Sequence, residues 1–169
     1  MKAVFELVDA LKDAGIVRDY ALFGAMAQIR YTEPVATLDA DVLVLLPGEA
    51  GFDALSPIYR FCESRGYRPH GEAIQVDDWP VQFIPTFSAL TEEAVREAET
   101  GEVEGHPVRV VSAAHLAVLA LSVGRAKDHA RILALLESGA TDRVQISALA
   151  ERHGLTPKWR DFTRRFFGE

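Results

Sequence analysis

The stretch Thr37-Leu38-Asp39-Ala40-Asp41-Val42-Leu43-Val44 decides how this sequence folds. The apolar run from Asp41 to Leu46 stops at Pro47-Gly48, which predicts a buried strand. Alternate residues of an extended chain share a face, so Asp39 and Asp41 are expected to project together. Two adjacent carboxylates repel each other unless a cation joins them, and Mg²⁺ prefers such hard oxygen ligands. The stretch therefore predicts a divalent-metal site, against the simpler interpretation of two solvated acids in a loop.

A glycine lies about fifteen residues upstream, between a short apolar run and an expected helix. Tyr20 to Phe23 predicts a buried strand, Gly24 closes it, and Ala25 to Tyr31 predicts a helix. Glycine lets backbone approach a ligand closely, and the N–H groups at a helix start favour phosphate. Gly24 and Ala25 are therefore candidates for phosphate contact, although a simple tight turn would produce the same sequence pattern. Arg30 on the following helix could reach phosphate or be a surface cation.

The remaining periodicities predict a mixed sheet with helices, followed by a helical region. We expect an α/β (α+β) core over residues 1–111 and a helical C-terminal region over residues 112–169, packed on the core. The predicted helices outside the motifs cover 1–16, 52–65, a stretch starting at 91, 113–123, 127–136 and 143–153, and Ser112 and Asp142 can cap the starts of the helices that follow them. The predicted strands cover 73–76 and 81–84, which form a hairpin around residues 77–80, and 103–111, broken at residues 105–107.

Composition limits the classes of function. The chain has 169 residues, is 49% hydrophobic and 25% charged, and carries a formal net charge of −7. This acidity argues against a dedicated non-specific nucleic-acid binder, which needs a basic face. The single cysteine, Cys62, excludes an intramolecular disulfide and is expected to be buried. Because the sequence shows neither a signal peptide nor a membrane-spanning run, we expect a cytoplasmic protein with no membrane partner.

Four short motifs resemble those of the nucleotidyltransferase superfamily that includes DNA polymerase beta. They are Phe23-Gly24-Ala25-Met26-Ala27, Thr37-Leu38-Asp39-Ala40-Asp41, Val81-Gln82-Phe83-Ile84-Pro85 and Arg125-Ala126-Lys127-Asp128. Within the superfamily, the chain is most similar to small bacterial proteins related to the AbiE-type toxins of type IV toxin–antitoxin systems. The resemblance implies a nucleotidyltransferase-type mixed sheet flanked by helices.

The resemblance also implies roles for individual residues. Asp39 and Asp41 would bind the catalytic Mg²⁺ (or Mn²⁺), and Gly24 with Ala25 would meet the triphosphate of an NTP. Lys127 would be catalytic by neutralising charge on the transferring phosphoryl oxygens, beside Asp128. The further nucleotide-binding candidates are Arg30, Thr37, Gln82 and Asp128. The implied reaction moves a nucleotidyl group to an unidentified acceptor, which could be RNA, a small molecule or a protein.

Two departures from the superfamily pattern weaken the implied catalysis. Ala25 replaces the usual serine or second glycine of the first motif, which removes a hydroxyl contact. Gln82 occupies the place of a usual third carboxylate, and an amide oxygen cannot act as a general base. The alternative is therefore a catalytically impaired nucleotide sensor, or a toxin–antitoxin partner on the same fold. Either function leaves room for a partner protein or a homodimer.

The last residues allow a rival interpretation. Ile146 to Leu155 followed by Thr156-Pro157 resembles a helix-turn-helix with a glycine at the corner. Residues 141–169 carry a net charge of +2, while the rest of the chain carries −9. A small nucleic-acid-contacting tail could produce this pattern. The simpler alternative is a helical cap in which four aromatic residues serve packing: Trp159, Phe162, Phe166 and Phe167.

Overall fold

The computed structural model describes residues 1–48 and 51–169, and these residues form eight helices and seven strands. The helices are α1 (Lys2–Asp13), α2 (Gly24–Gln28), α3 (Ser56–Ser64), α4 (Ala89–Arg96), α5 (Ala113–Val123), α6 (Ala126–Glu137), α7 (Arg143–Arg152) and α8 (Thr156–Phe167). The strands are β1 (Asp19–Phe23), β2 (Ala40–Leu45), β3 (Arg68–His70), β4 (Ala73–Val76), β5 (Trp79–Pro85), β6 (Glu99–Val103) and β7 (His106–Val110).

The chain divides into two compact units. The α/β unit comprises Met1–Ala27 and Ala36–Val111, and the helical unit comprises Gln28–Val35 and Ser112–Glu169. The sequence-based division into domains at residue 111 stays a prediction. None of the helices in the described ranges combines the length and the apolar character needed to cross a bilayer.

The seven strands of the α/β unit form one mixed sheet in the order β3-β4-β5-β2-β1-β7-β6. β2 lies at its centre, parallel to β5 and antiparallel to β1. Val42, Leu43 and Val44 are fully buried there, which explains the unbroken apolar run in the sequence. The predicted α/β (α+β) class with a mixed sheet and helices is confirmed.

A polar cluster ties α1 to the sheet. The Tyr20 hydroxyl donates to Asp9 Oδ1 at 2.9 Å, and His106 Nε2 lies 2.9 Å from the other oxygen of the same carboxylate. Burial, together with the hydrogen bond to Asp9, raises the pKa of Tyr20 well above its usual range. The ring of Phe5 stacks on His106 at 5.6 Å. These contacts fix α1 on β1 and β7, and therefore fix the strand that leads to Gly24.

Three predicted helices are longer than the observed ones, and the first of them, expected over residues 1–16, ends at Asp13. The helix expected over residues 25–31 ends at Gln28, where the N–H groups of Tyr31 and Thr32 both turn back to the Gln28 carbonyl. The helix expected from Phe52 begins at Ser56, because Pro57 suits the first turn of a helix, where its missing N–H costs nothing. Cys62 in this helix is fully buried as predicted, and burial raises the pKa of its thiol to about 11.

The strand predictions missed part of the sheet. The segment expected as one broken strand over 103–111 is the second half of a hairpin, β6–β7, which turns at Glu104 and Gly105 with φ of 53° and 78°. β6 escaped prediction because its charged residues are exposed at the sheet edge. β3, also exposed, was missed for the same reason. The predicted β4–β5 hairpin is confirmed, although β5 begins at Trp79 rather than at Val81.

Two helices of the helical unit, α5 and α7, begin with the capping residues that the sequence predicted. The Ser112 hydroxyl accepts from the N–H of His115 at the start of α5, and Asp142 accepts from the N–H of Gln145 at the start of α7. Within this unit Trp159 and Phe162 are buried and stacked, 5.5 Å apart. Their burial agrees with a packing role for the C-terminal aromatic residues.

Candidate functional site

The acidic motif lies at the amino end of the central strand of the α/β unit. Asp41 is the second residue of β2, and Asp39 directly precedes the strand. The Asp41 side chain is half-buried, whereas Asp39 is exposed. Leu38 beside them is 87% exposed, so the amino end of β2 is open to a ligand. The two acids therefore stand where a buried strand meets the surface.

The neighbouring strands bring two further predicted residues beside Asp41. Phe23 on β1 pairs with Asp41 on one side, and Gln82 on β5 pairs with it on the other. Cross-strand partners point to the same face of a sheet, so the carboxyl of Asp41 and the amide of Gln82 share a face. Gly24 follows Phe23 directly. The sheet topology thus brings Gly24, Asp41 and Gln82 together, although they lie far apart in sequence.

Gly24 is required by its contact with Asp41. Its φ of +63° lies in the left-handed region, which is unfavourable for residues with a Cβ atom. A Cβ atom at this position would collide with Oδ2 of Asp41 and lie 3.2 Å from its Cγ. The backbone between β1 and α2 therefore passes directly against the carboxylate. The sequence suggested that Gly24 allows the backbone to approach a ligand closely. The contact of Gly24 with Asp41 was not predicted.

Asp39 is held by the threonine of its own motif. The Thr37 hydroxyl lies 2.9 Å from the carbonyl oxygen of Asp39 and 3.3 Å from its Oδ1. This small turn restrains the residue just before β2 begins. The observed contact of Thr37 is therefore with Asp39, and its predicted contact with nucleotide stays a prediction.

The other predicted site residues belong to the helical unit. Lys127, the second residue of α6, is exposed, and Arg30 lies with its guanidinium carbon 5.7 Å from the ring centroid of Tyr31. Asp128 is buried and accepts hydrogen bonds from the backbone N–H and the guanidinium of Arg125. Burial alone would raise the pKa of Asp128, but its hydrogen bonds with Arg125 hold that pKa below its usual range. The observed contacts of Asp128 stabilise the first turn of α6.

Comparison with solved structures identifies the fold. The chain is similar to the solution structure of the antibiotic-resistance factor ANT(2'')-Ia, with 15% identity, a TM-score of 0.54, and coverage of 99% of this chain and 98% of that one. It is also similar to an antigenic nucleotidyltransferase-like protein from Paracoccidioides brasiliensis, with 14% identity, a TM-score of 0.54, and coverage of 94% and 91%. This is a nucleotidyltransferase fold. The likeness extends over almost the whole chain, so the fold includes both units.

Sequence comparisons add nothing further, since neither protein-family models nor curated protein sequences match the chain. The predicted nucleotidyltransferase-type fold is confirmed by these structures. The relationship to AbiE-type toxins stays a prediction, as do the roles of the individual site residues.

A pair of glycine substitutions tests the contact at the centre of the site. Gly24→Ala adds a left-handed strain of about 1–2 kcal/mol and a collision with Asp41. Gly15→Ala is the matched control, because Gly15 has a φ of +69° and no atom within 4 Å of an added Cβ. We expect urea denaturation to show a loss in unfolding free energy at least about 1 kcal/mol larger for Gly24→Ala. Equal losses would mean that Asp41 does not pack against Gly24.

Proposed function

We propose that the α/β unit carries a nucleotidyl-transfer site in which an NTP lies at the amino end of β2. The observation that supports this most is the meeting of three groups: the left-handed backbone at Gly24, the Asp41 carboxylate and the Gln82 amide. The space that a Cβ atom of Gly24 would fill is occupied by the Asp41 carboxylate, which therefore lies against the start of α2 and can share a metal with a phosphate bound there. The nucleotidyltransferase fold agrees with this chemistry.

The donor set suits Mg²⁺ or Mn²⁺. Asp39 and Asp41 provide carboxylate oxygens, and Gln82 provides a neutral amide oxygen on the strand next to Asp41. Mg²⁺ commonly binds to one or two protein carboxylates, and water and phosphate oxygens complete its coordination shell. The collision that a Cβ atom would make at Gly24 also shows that Asp41 is confined against the loop. When bound, such an ion neutralises charge on the phosphates of the nucleotide.

The chain's own residues then bind and orient the nucleotide. The N–H groups at the start of α2, from Gly24 onward, lack intrahelical partners and can donate to phosphate oxygens. Because α2 has only five residues, its contribution lies in these individual N–H groups and not in a long helix dipole. Thr37 holds Asp39 near its working position through the turn described above. Asp41 is confined by Gly24 on one side and Gln82 on the other.

The helical unit contributes the remaining proposed groups. Lys127 is exposed on the first turn of α6, and its ammonium group suits stabilisation of charge on the leaving pyrophosphate. Arg30 is a second cation proposed to contact phosphate. Asp128 is proposed to act indirectly, by fixing Arg125 and the first turn of α6, which carries Lys127. The acceptor of the nucleotidyl group is RNA, a small molecule or a protein.

Transfer of label from a nucleotide tests the proposed reaction. With each α-³²P-labelled NTP, Mg²⁺ and candidate acceptors (total RNA, cell extract, the protein itself), we expect label to move onto one acceptor class. Asp41→Asn should lower the rate at least about 100-fold, because it removes charge where phosphate and metal meet. Asp13→Asn, an exposed acid at the end of α1, is the matched control and should keep the activity. Undiminished transfer by Asp41→Asn would exclude the proposed site.

A second candidate function is nucleotide binding without catalysis, as a sensor or as a toxin–antitoxin partner. It is favoured by Gln82, which lies beside Asp41 but cannot accept a proton from an attacking hydroxyl. On this account calorimetry detects Mg²⁺-dependent NTP binding while no acceptor is labelled. Absence of both binding and labelling would contradict the two candidate functions together.

Substitution of Gln82 separates the two candidates. Gln82→Asp places a carboxylate on the same face as Asp41, where it can accept a proton and add a metal ligand. If the wild-type chain is a silent binder, we expect this variant to acquire measurable transfer of label. Gln75→Asp on β4 is the control, because it adds the same charge at the position paired with Pro80 instead of Asp41. Gain of transfer by both variants, or by neither, would show that Gln82 does not limit the reaction.

A further inference from the structure

The last two helices of the helical unit are joined by a tight corner at residues 153–155. The N–H of Leu155 donates to the carbonyl of Ala150 at 2.7 Å, and the N–H of Gly154 donates to the carbonyl of Glu151 at 3.1 Å. Gly154 has a φ of +70°. These two bonds form a Schellman motif, which ends a helix and turns the chain. The turn that the sequence suggested between α7 and α8 is therefore present, and it fixes where α8 begins.

The apolar face of α8 is packed inside the helical unit. Trp159 and Phe162 are buried, and the ring of Phe162 lies 5.5 Å from that of His129 on α6 and 4.7 Å from that of Phe166. This packing anchors the helix by one side only. The opposite side of α8 remains available to a partner.

The opposite side of α8, called the basic face below, carries four exposed cations: Lys158, Arg160, Arg164 and Arg165. At about 100° per residue, all four fall within roughly half of the circumference of the helix. Asp161 is the only acid in the sequence of α8, so the helix carries a net charge of +3, whereas the rest of the chain carries −10. The charge of the protein is therefore divided sharply between one helix and the remainder.

Two arginines at the centre of the basic face are available to an anion. Within residues 1–48 and 51–169, the guanidinium of Arg160 forms no hydrogen bond or ion pair. Arg164 lies 3.4 Å from Asp161, but both side chains are more than 70% exposed. Such a solvated pair contributes little and is readily exchanged for a stronger anion. Because Arg160 and Arg164 are four residues apart, they lie one helical turn apart on the same side.

We propose that the basic face of α8 docks in the major groove of duplex DNA, by contact with the phosphate backbone. The major groove of B-DNA is about 12 Å wide and admits one α-helix between two rows of phosphates. Arg160 and Arg165 are five residues apart, so they point roughly 140° apart around the helix axis and can reach both rows. The major groove of duplex RNA is too narrow for a helix, which favours DNA as the partner.

The acidity of the rest of the chain determines how the DNA approaches. A net charge of −10 outside α8 repels phosphates, so the duplex is expected to meet the protein with α8 in front. The same acidity argues against binding over the whole surface, but it is compatible with one docking helix. With few phosphate contacts, binding is expected to be weak and to depend strongly on salt concentration.

Paired substitutions test whether the basic face binds DNA. Fluorescence anisotropy of a labelled duplex of about 20 base pairs, with the full chain at low salt, should show at least about 10-fold weaker binding by Arg160→Gln/Arg164→Gln. The slope of log Kd against log salt concentration should fall by about 2, because two phosphate contacts are lost. Arg60→Gln/Arg68→Gln is the matched control: it changes the net charge equally at two exposed arginines of the α/β unit and should alter Kd less than about 2-fold.

Three results would overturn the proposal. The first is no binding of the duplex by the wild-type chain at low salt. The second is equal weakening by both arginine pairs, which would mean that net charge and not the basic face controls binding. The third is binding of an RNA duplex or a single-stranded RNA of the same length as tightly as DNA. Circular dichroism confirms that the variants fold. Because no nucleoside triphosphate takes part, failure here leaves the transfer proposal unaffected.

Discussion

The contact between the backbone of Gly24 and the carboxylate of Asp41 is the constraint on which the candidate site depends. The antiparallel register of β1 and β2 places Phe23 opposite Asp41, so the chain must turn immediately beside a charged side chain. At a φ of +63° a residue with a Cβ atom would be strained, and its Cβ would also collide with Oδ2 of Asp41. The same turn begins α2, and the first N–H groups of a helix have no partner within it. A single packing requirement thus brings together the proposed metal ligand and the backbone proposed to bind phosphate.

The order of strands explains why the site is assembled from distant parts of the sequence. β2 lies between β5 and β1, so residues 23, 41 and 82 become lateral neighbours. The buried centre of β2 holds the strand in register, and a shift by one residue would turn Asp41 toward the opposite face. The hydrogen bonds of Asp9 with Tyr20 and His106 hold β1 against α1. The packing of the core therefore determines the positions of the polar residues at the amino end of β2.

Sequence patterns predicted the buried elements well, because burial leaves a strong apolar signal. β2, the β4–β5 hairpin, α5 and the caps at Ser112 and Asp142 were all recognisable from residue type and spacing. The exposed edge strands β3 and β6 carry no such signal. The proximity of Gln82 to Asp41 was suggested by resemblance, but its register depends on long-range pairing that local spacing cannot reveal.

Anomalous diffraction from crystals soaked with Mn²⁺ and a non-hydrolysable NTP analogue tests the central claim most directly. The account predicts an anomalous peak within bonding distance of the carboxylate oxygens of Asp39 and Asp41, with the phosphates of the analogue lying against the backbone of Gly24. A nucleotide bound elsewhere, or bound without Mn²⁺ at Asp41, would contradict it.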